Sequence, residues 1–334
     1  MRDLRVSADG FRPMLYLSLA LGLVLLVLGG EALVRGAVAL AGRLGVSPLL
    51  IGLTVVGFGT STPELVTSLQ AAFSGSPGIA VGNVVGSNTA NILLILGAAA
   101  LIAPLAVSPG AFRRDGIALV LVTLAAIGAV LTGNLSRPLG LALLFGLVAY
   151  LVMAYRSERG DAATDEGAIE TVGDANPGAS PIGLPVALLY ALGGIAVTVL
   201  GAPLLVSGAT ELATRFGVSD AVIGLTIVAV GTSLPELVTS VVASLRRQGA
   251  VAFGNVVGSN IYNVLGILGA TALVKPIPVP AEIASFDIWV MAAATLALVW
   301  AAVTGWRITR GEGAVLLVAY VAYAGWLAWG ALPL

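Results

Sequence analysis

The chain carries one block of sequence twice. Gly45 to Gly97 aligns on Gly217 to Gly269 without a gap, at a constant offset of 172 residues, and 31 of the 53 positions are identical. The setting of the block limits what it can build. Only 10% of the 334 residues are charged and 58% are hydrophobic, and runs of about 20 uncharged residues recur along almost the whole chain, the length needed to cross a bilayer as a helix. The apolar runs and their breakers mark about ten membrane helices: Met14 to Arg43, Ser47 to Phe73, Gly78 to Ala103, Arg114 to Thr132, Arg137 to Tyr155, Ile182 to Phe216, Ser219 to Leu245, Ala250 to Val274, Ile283 to Thr304 and Gly313 to Gly330. The offset spans five of them, an odd number, so equivalent helices cross in opposite directions. The expected fold is an all-α integral membrane protein of two inverted five-helix repeats, residues 1–155 and 182–334, whose corresponding segments meet near mid-membrane. That architecture points to transport.

Composition removes other classes. With no histidine and no cysteine, the chain has no imidazole or thiol nucleophile, no disulfide, and no zinc, haem or iron–sulfur ligands of those types. A net charge of −1 with scattered basic residues offers no nucleic-acid surface. The expected partner is the lipid bilayer, with no obligatory protein partner. The basic N-terminus resembles a signal peptide, yet the apolar stretch continues as a helix without a convincing cleavage pattern. Residues 156–181 hold six acidic residues with Gly, Ala and Ser, without the alternating carboxylates of a calcium loop, and read as a solvated linker. Placing the N-terminus outside puts nine basic residues on the cytoplasmic side against six outside, so the linker is expected in the cytoplasm.

The repeated block contains the unusual chemistry. Its first motif reads GFGTSTPELVTS (Gly57 to Ser68) and AVGTSLPELVTS (Ala229 to Ser240). Pro63 and Pro235 stand inside apolar segments and deprive the carbonyls of Gly59 and Gly231 of their helical partners, which is tolerated at membrane depth where the oxygen is buried in protein or lines a cavity. Glu64 and Glu236 follow each proline, with no Lys or Arg of the repeat at that depth to neutralise them, so a cation from solution is the natural partner. Thr60 and Thr232 lie four residues before the glutamates, on the same face of a continuous helix. The second motif, GNVVGSN, is followed by a further asparagine and repeats this spacing with Ser87 and Asn91, and with Ser259 and Asn263. Together these make an all-oxygen donor set with two carboxylates, suited to hard cations such as Ca²⁺ and Na⁺, and two glutamates neutralise one Ca²⁺. For the hydroxyls, ligation and helix packing both remain open; the asparagines favour site lining, with interhelical hydrogen bonding as the rival. Gly82, Gly86, Gly254 and Gly258 are read as close-packing residues. Glu31 with Arg35, and Glu211 with Arg215, are spaced to neutralise each other, and Trp289, Trp306, Trp326 and Trp329 read as an interfacial belt.

The paired GTSTPEL and GTSLPEL stretches, each followed by GNVVGSN, resemble the alpha repeats of the sodium/calcium exchanger family, within the calcium/cation antiporter superfamily. The resemblance covers both repeats. It implies a ten-helix fold with the N-terminus outside, an ion site formed by helices 2, 3, 7 and 8, and long tilted first and sixth helices that slide against that core. It also implies that Glu64 and Glu236 are shared Ca²⁺ and Na⁺ carboxylates, that Thr60, Ser61, Thr232, Ser233, Ser87, Ser259, Asn91 and Asn263 complete the sites, and that the carbonyls of Gly57 and Ala229 are backbone ligands. Many members carry an aspartate where this chain has Asn263, a departure that bears on K⁺ dependence. The regulatory calcium-binding domains of animal relatives have no room in the short linker.

The leading expectation is therefore Na⁺/Ca²⁺ antiport by alternating access, without a cofactor. H⁺/Ca²⁺ exchange on the same glutamates is the alternative. A channel would conduct without a counter-ion, and a membrane enzyme such as an intramembrane serine protease would need a histidine or a paired serine and lysine, which the motifs lack.

Overall fold

The computed structural model describes residues 6–73, 75, 77–164, 182–215 and 229–330. Helices account for nearly all of them: α1 (Val6–Leu44), α2 (Pro48–Thr60), α3 (Thr62–Phe73), α4 (Pro77–Ile102), α5 (Pro109–Leu131), α6 (Arg137–Thr164), α7 (Leu184–Arg215), α8 (Ala229–Thr232), α9 (Leu234–Leu245), α10 (Gly249–Val274), α11 (Ile283–Val303) and α12 (Arg310–Gly330). Among the described residues, eight helices are long and apolar enough to cross a membrane alone, and α2 with α3 makes a ninth span across a 42° bend. The tenth expected span is described only from Ala229 onward, as α8 and α9; residues 216–228, with its start at Ser219, lie outside the described residues.

Local chemistry sets the boundaries. Gly45, at φ +63°, ends α1, and the Val46 amide closes back on the Ala41 carbonyl at 3.1 Å, the left-handed glycine stop of a helix. Ser47 then caps α2 through its hydroxyl on the Leu50 amide at 3.1 Å, with Pro48 in the first turn where its missing N–H costs nothing. Several expected ends move, among them the start of α1, at Val6 rather than Met14. Pro109 starts α5 ahead of Arg114, for the same first-turn reason. The fifth span runs to Thr164 rather than Tyr155, because residues 156–164 contain Arg, Glu and Ala and no proline. The first nine residues read as linker are thus helical, and residues 165–181 lie outside the described residues.

Burial orders the bundle. The apolar windows of α4 and α10 are 72% and 83% buried against 11% for α12, so α4 and α10 form the centre while α12 lies at the periphery. At that centre, glycine replaces side chains: a Cβ on Gly258 would overlap the Leu53 carbonyl, and one on Gly254 would lie 2.6 Å from the Leu49 carbonyl, so α10 presses directly on the α2 backbone. The packing role expected for Gly254 and Gly258 is met, but not that for their counterparts: a Cβ on Gly82 would meet only Ile283 Cδ1 at 3.6 Å and one on Gly86 would have open space, so no backbone presses on them. The 39 residues of α1 span about 58 Å and the 32 of α7 about 48 Å, both longer than the roughly 30 Å hydrocarbon core. Among the described residues these two make the most extensive helix contact, across Gly29, Gly36 and Gly194, where a Cβ would strike the partner backbone.

The repeats are related by symmetry in space. Strand β1 (Leu105–Ala106) pairs with β4 (Arg307–Ile308), and β2 (Asn134–Leu135) with β3 (Ile277–Pro278), so each repeat lends the same two connectors to the other. Thr123 and Thr295, 172 residues apart, meet hydroxyl to hydroxyl at 3.1 Å. Residues related by the repeat offset touch only where the pseudo-two-fold axis passes, and this pair marks it.

Candidate functional site

Both first motifs break at the residue before the helix that carries the proline. Ser61 (φ −82°, ψ 11°) and Ser233 (φ −86°, ψ 8°) leave the helical region, so that Pro63 and Pro235 fall in the first turn of a new helix. Glu64 and Glu236 consequently sit in the first turns of α3 and α9, where the unpaired backbone N–H groups favour an anion. This corrects two expectations. The helix is interrupted between Thr60 and Glu64, and between Thr232 and Glu236, so the four-residue spacing does not stack them on one continuous face. The Gly59 carbonyl freed by the proline accepts the Thr62 hydroxyl at 2.9 Å and is satisfied within its own segment.

The hydroxyls instead reach across the axis. Ser61 Oγ donates to Glu236 Oε1 at 2.7 Å, and Ser233 Oγ donates to Glu64 Oε1 at 3.0 Å. Thr60 and Ser259 also approach Glu236, Thr232 approaches Glu64, and the two carboxylates are near enough to repel each other. Ser87 meets Ser233 Oγ at 3.2 Å, while Ser259 Oγ donates to the Gly57 carbonyl at 3.1 Å. Asn91 and Asn263, one turn beyond these serines, each open a wide π-helical turn, a local geometry common at functional sites. Glu64, Glu236, Thr60, Ser61, Ser233, Ser87, Ser259, Asn91 and Asn263 are all buried, Thr232 is half-buried, Gly57 is buried, and Ala229 opens α8.

Four of these side chains keep an oxygen without a partner. Glu64 Oε2, Glu236 Oε2, Asn91 Oδ1 and Asn263 Oδ1 are fully buried and accept no hydrogen bond. They come from α3, α9, α4 and α10, two from each repeat. Buried polar atoms are nearly always bonded, so four orphaned acceptors in equivalent pairs ask for a shared electropositive partner. No Lys or Arg pairs with either glutamate among the described residues, and no cluster of three acidic, histidine or cysteine side chains occurs there. The donor set is two carboxylates surrounded by neutral oxygens. Such a set fits a hard cation as cargo, held by charge from the glutamates and by dipoles from the rest.

The sequence reading missed four asparagines in this cluster. Asn83 Nδ2 donates to the Glu64 carbonyl at 3.0 Å and to Ser68 Oγ at 2.9 Å, while its Oδ1 accepts from Thr232 at 3.3 Å; Asn255 does the same with the Glu236 carbonyl (3.1 Å), Ser240 (2.8 Å) and Thr60 (3.2 Å). Asn88 and Asn260 bridge α4 and α10. All four belong to the duplicated GNVVGSN, so duplication itself was the available signal. Outside the site, Glu31 pairs with Arg35 at 2.7 Å as its spacing suggests, and also with Arg246 at the end of α9. The side chains of Glu211 and Arg215 lie outside the described residues.

Comparison with known proteins decides the family. The family model "Sodium/calcium exchanger protein" matches residues 14–156 and 186–329. The chain belongs to the sodium/calcium exchanger family. Among relatives, the sodium/calcium exchanger MaX1 of Methanosarcina acetivorans is 37% identical, over 92% of this chain and 97% of that one. Inner membrane protein YrbG of Escherichia coli is also 37% identical, over 93% and 96%. The fold matches the sodium-calcium exchanger NCX_Mj soaked with Na⁺ and Ca²⁺, with a TM-score of 0.77 and 32% identity over 95% of this chain and 98% of that one. The exchanger described above is thus a membrane-embedded cation/Ca²⁺ antiporter of the NCX_Mj fold.

Proposed function

We propose that the protein exchanges Na⁺ for Ca²⁺ by alternating access at one site between the repeats. The observation that carries this reading is the set of four orphaned buried oxygens on Glu64, Glu236, Asn91 and Asn263. The two glutamates supply the charge for one Ca²⁺, or for Na⁺ in its place. Thr60, Ser61, Thr232, Ser233, Ser87 and Ser259 supply hydroxyl oxygens, and the carbonyls of Gly57 and Ala229 supply backbone ligands, that of Gly57 once Ser259 releases it to the ion. Ser61 and Ser233 donate their protons to the opposite glutamates, so toward an ion their oxygens can act only as acceptors. Because both ions use the same carboxylates, Ca²⁺ leaves as Na⁺ enters. The N-terminus is outside and residues 156–181 are cytoplasmic, and access alternates as the long pair α1 and α7 moves against the remaining bundle. The name of MaX1 and the Na⁺ and Ca²⁺ soaks of NCX_Mj support Na⁺ as the coupling ion.

The test is ⁴⁵Ca²⁺ uptake into proteoliposomes loaded with Na⁺, compared with vesicles loaded with choline and with vesicles carrying only a pH gradient. The reading expects uptake in the first alone. Uptake driven by the pH gradient would transfer the protein to proton coupling, and uptake indifferent to either gradient would make it a channel.

A further inference from the structure

The amide of an asparagine binds a cation only with its oxygen forward; turned by 180° about χ2, it presents two N–H groups and repels the ion. Something must hold Asn91 and Asn263 the right way round, and the polarity of the bonds around them can be followed from a backbone carbonyl, which accepts and cannot donate. Asn88 Nδ2 donates to the Asn260 carbonyl at 3.4 Å, which directs the Asn88 Oδ1 to its other side. That Oδ1 accepts from Asn263 Nδ2 at 3.1 Å. The Asn263 nitrogen is thereby occupied, and its Oδ1 is left pointing the other way, buried and without a partner. The second repeat mirrors the arrangement: Asn260 Nδ2 donates to the Asn88 carbonyl at 3.3 Å, Asn260 Oδ1 accepts from Asn91 Nδ2 at 2.9 Å, and Asn91 Oδ1 is left without a partner. All four side chains are buried, so water does not compete for these bonds. A flipped Asn263 would set its oxygen against that of Asn88.

We propose that Asn88 and Asn260 are positioning residues that lock the amides of Asn263 and Asn91, each across the repeat boundary, with their carbonyl oxygens turned toward the transported cation. The lock is crossed: Asn88 on α4 serves Asn263 on α10, and Asn260 on α10 serves Asn91 on α4. It makes the orientation of each repeat's ligand depend on the seating of the other repeat at the axis. The proposal rests on the ion site assigned above. A carboxylate at either position would present an oxygen to the ion in both orientations, so its orientation would not depend on such a lock.

That difference supplies the test. In purified full-length protein, Ca²⁺ affinity is measured by titration calorimetry for Asn88→Ala and Asn260→Ala, each alone and in Asn263→Asp and Asn91→Asp backgrounds, with thermal melting to confirm folding. Loss of a partner that orients a metal ligand weakens affinity by about 10- to 100-fold, and that is the loss expected for each single alanine variant. Asn263→Asp, whose carboxylate gives the ion an oxygen in either orientation but sets another against Asn88 Oδ1, should abolish or reverse the effect of Asn88→Ala and leave that of Asn260→Ala, and Asn91→Asp should do the same for Asn260→Ala. Packing alone would lower affinity equally in both aspartate backgrounds, and that result, or unchanged affinity in the single variants, overturns the proposal. If one single variant fails to fold, the symmetry-related cycle decides. Glu64→Gln is measured alongside: retained Ca²⁺ binding there would show that the site itself is misassigned, whereas its loss together with uncrossed Asn effects would reject only the lock.

Discussion

Each glutamate of the site is bonded by a serine that belongs to the other repeat. Ser61 donates to Glu236 and Ser233 to Glu64, at 2.7 and 3.0 Å, so each carboxylate is held across the axis by a side chain of the other motif as well as by the backbone of its own helix start. A hydrogen bond to a charged, buried group contributes about 1.5–3 kcal/mol, which translates to roughly 10- to 150-fold in affinity if the bond helps hold the carboxylate for the ion. Ser61→Ala and Ser233→Ala should therefore weaken Ca²⁺ binding by similar factors of that order, measured by ⁴⁵Ca²⁺ binding. An effect of one without the other would contradict their equivalence. The glutamates were legible in the sequence because an unpaired acid in an apolar helix has few structural explanations. The crossing was not, because it depends on which helix ends face each other in space. The asparagines at 83, 88, 255 and 260 were hidden for a related reason. Their work is to orient other side chains, and residue type and spacing do not distinguish that from packing.

At the level of helices, the sequence announced the breaks and misplaced their consequences. Pro63 and Pro235 do interrupt α2–α3 and α8–α9, but the interruption comes at Ser61 and Ser233 and turns the proline into a first-turn residue. The glutamates thereby gain a helix N-terminus, and the Gly59 carbonyl gains Thr62 in place of an ion. The unusual lengths of α1 and α7 were also apparent from their apolar runs, and the structure pairs them through glycine contacts. Because the chain has no cysteine, introduced pairs can test their motion without background. A Cβ on Gly201 would lie 2.9 Å from the Cβ of Leu25, within α1 and α7, whereas a Cβ on Gly30 would lie 3.0 Å from Val238 Cγ1, joining α1 to α9. Both pairs are within reach of a disulfide after small adjustment. Oxidising Leu25→Cys with Gly201→Cys should leave Ca²⁺ flux largely intact if, as proposed, α1 and α7 move as one. Oxidising Gly30→Cys with Val238→Cys should stop flux until a reductant is added. Flux that survives the second cross-link would refute movement of the α1/α7 pair against the core.

For the molecule as a whole, duplication explains why one site forms and where. Two halves in opposite orientation bring Glu64 and Glu236, Asn91 and Asn263, and the axial pair Thr123 and Thr295 into register, and the strand pairs outside the helices repeat the same relation. The offset of 172 residues was readable at once, and with it the inverted topology. The bonds that join the halves are long-range, and no local pattern encodes them. The central claim is that the two glutamates form one cation site that Ca²⁺ and Na⁺ occupy in turn. Calorimetric titration of Ca²⁺ into the purified protein in Na⁺-free buffer, repeated with increasing Na⁺, tests it most directly. The account predicts one Ca²⁺ per chain, an apparent Kd that rises with Na⁺ as competition requires, and loss of binding in both Glu64→Gln and Glu236→Gln. Ca²⁺ binding that ignores Na⁺, or that persists in either glutamine variant, would contradict it.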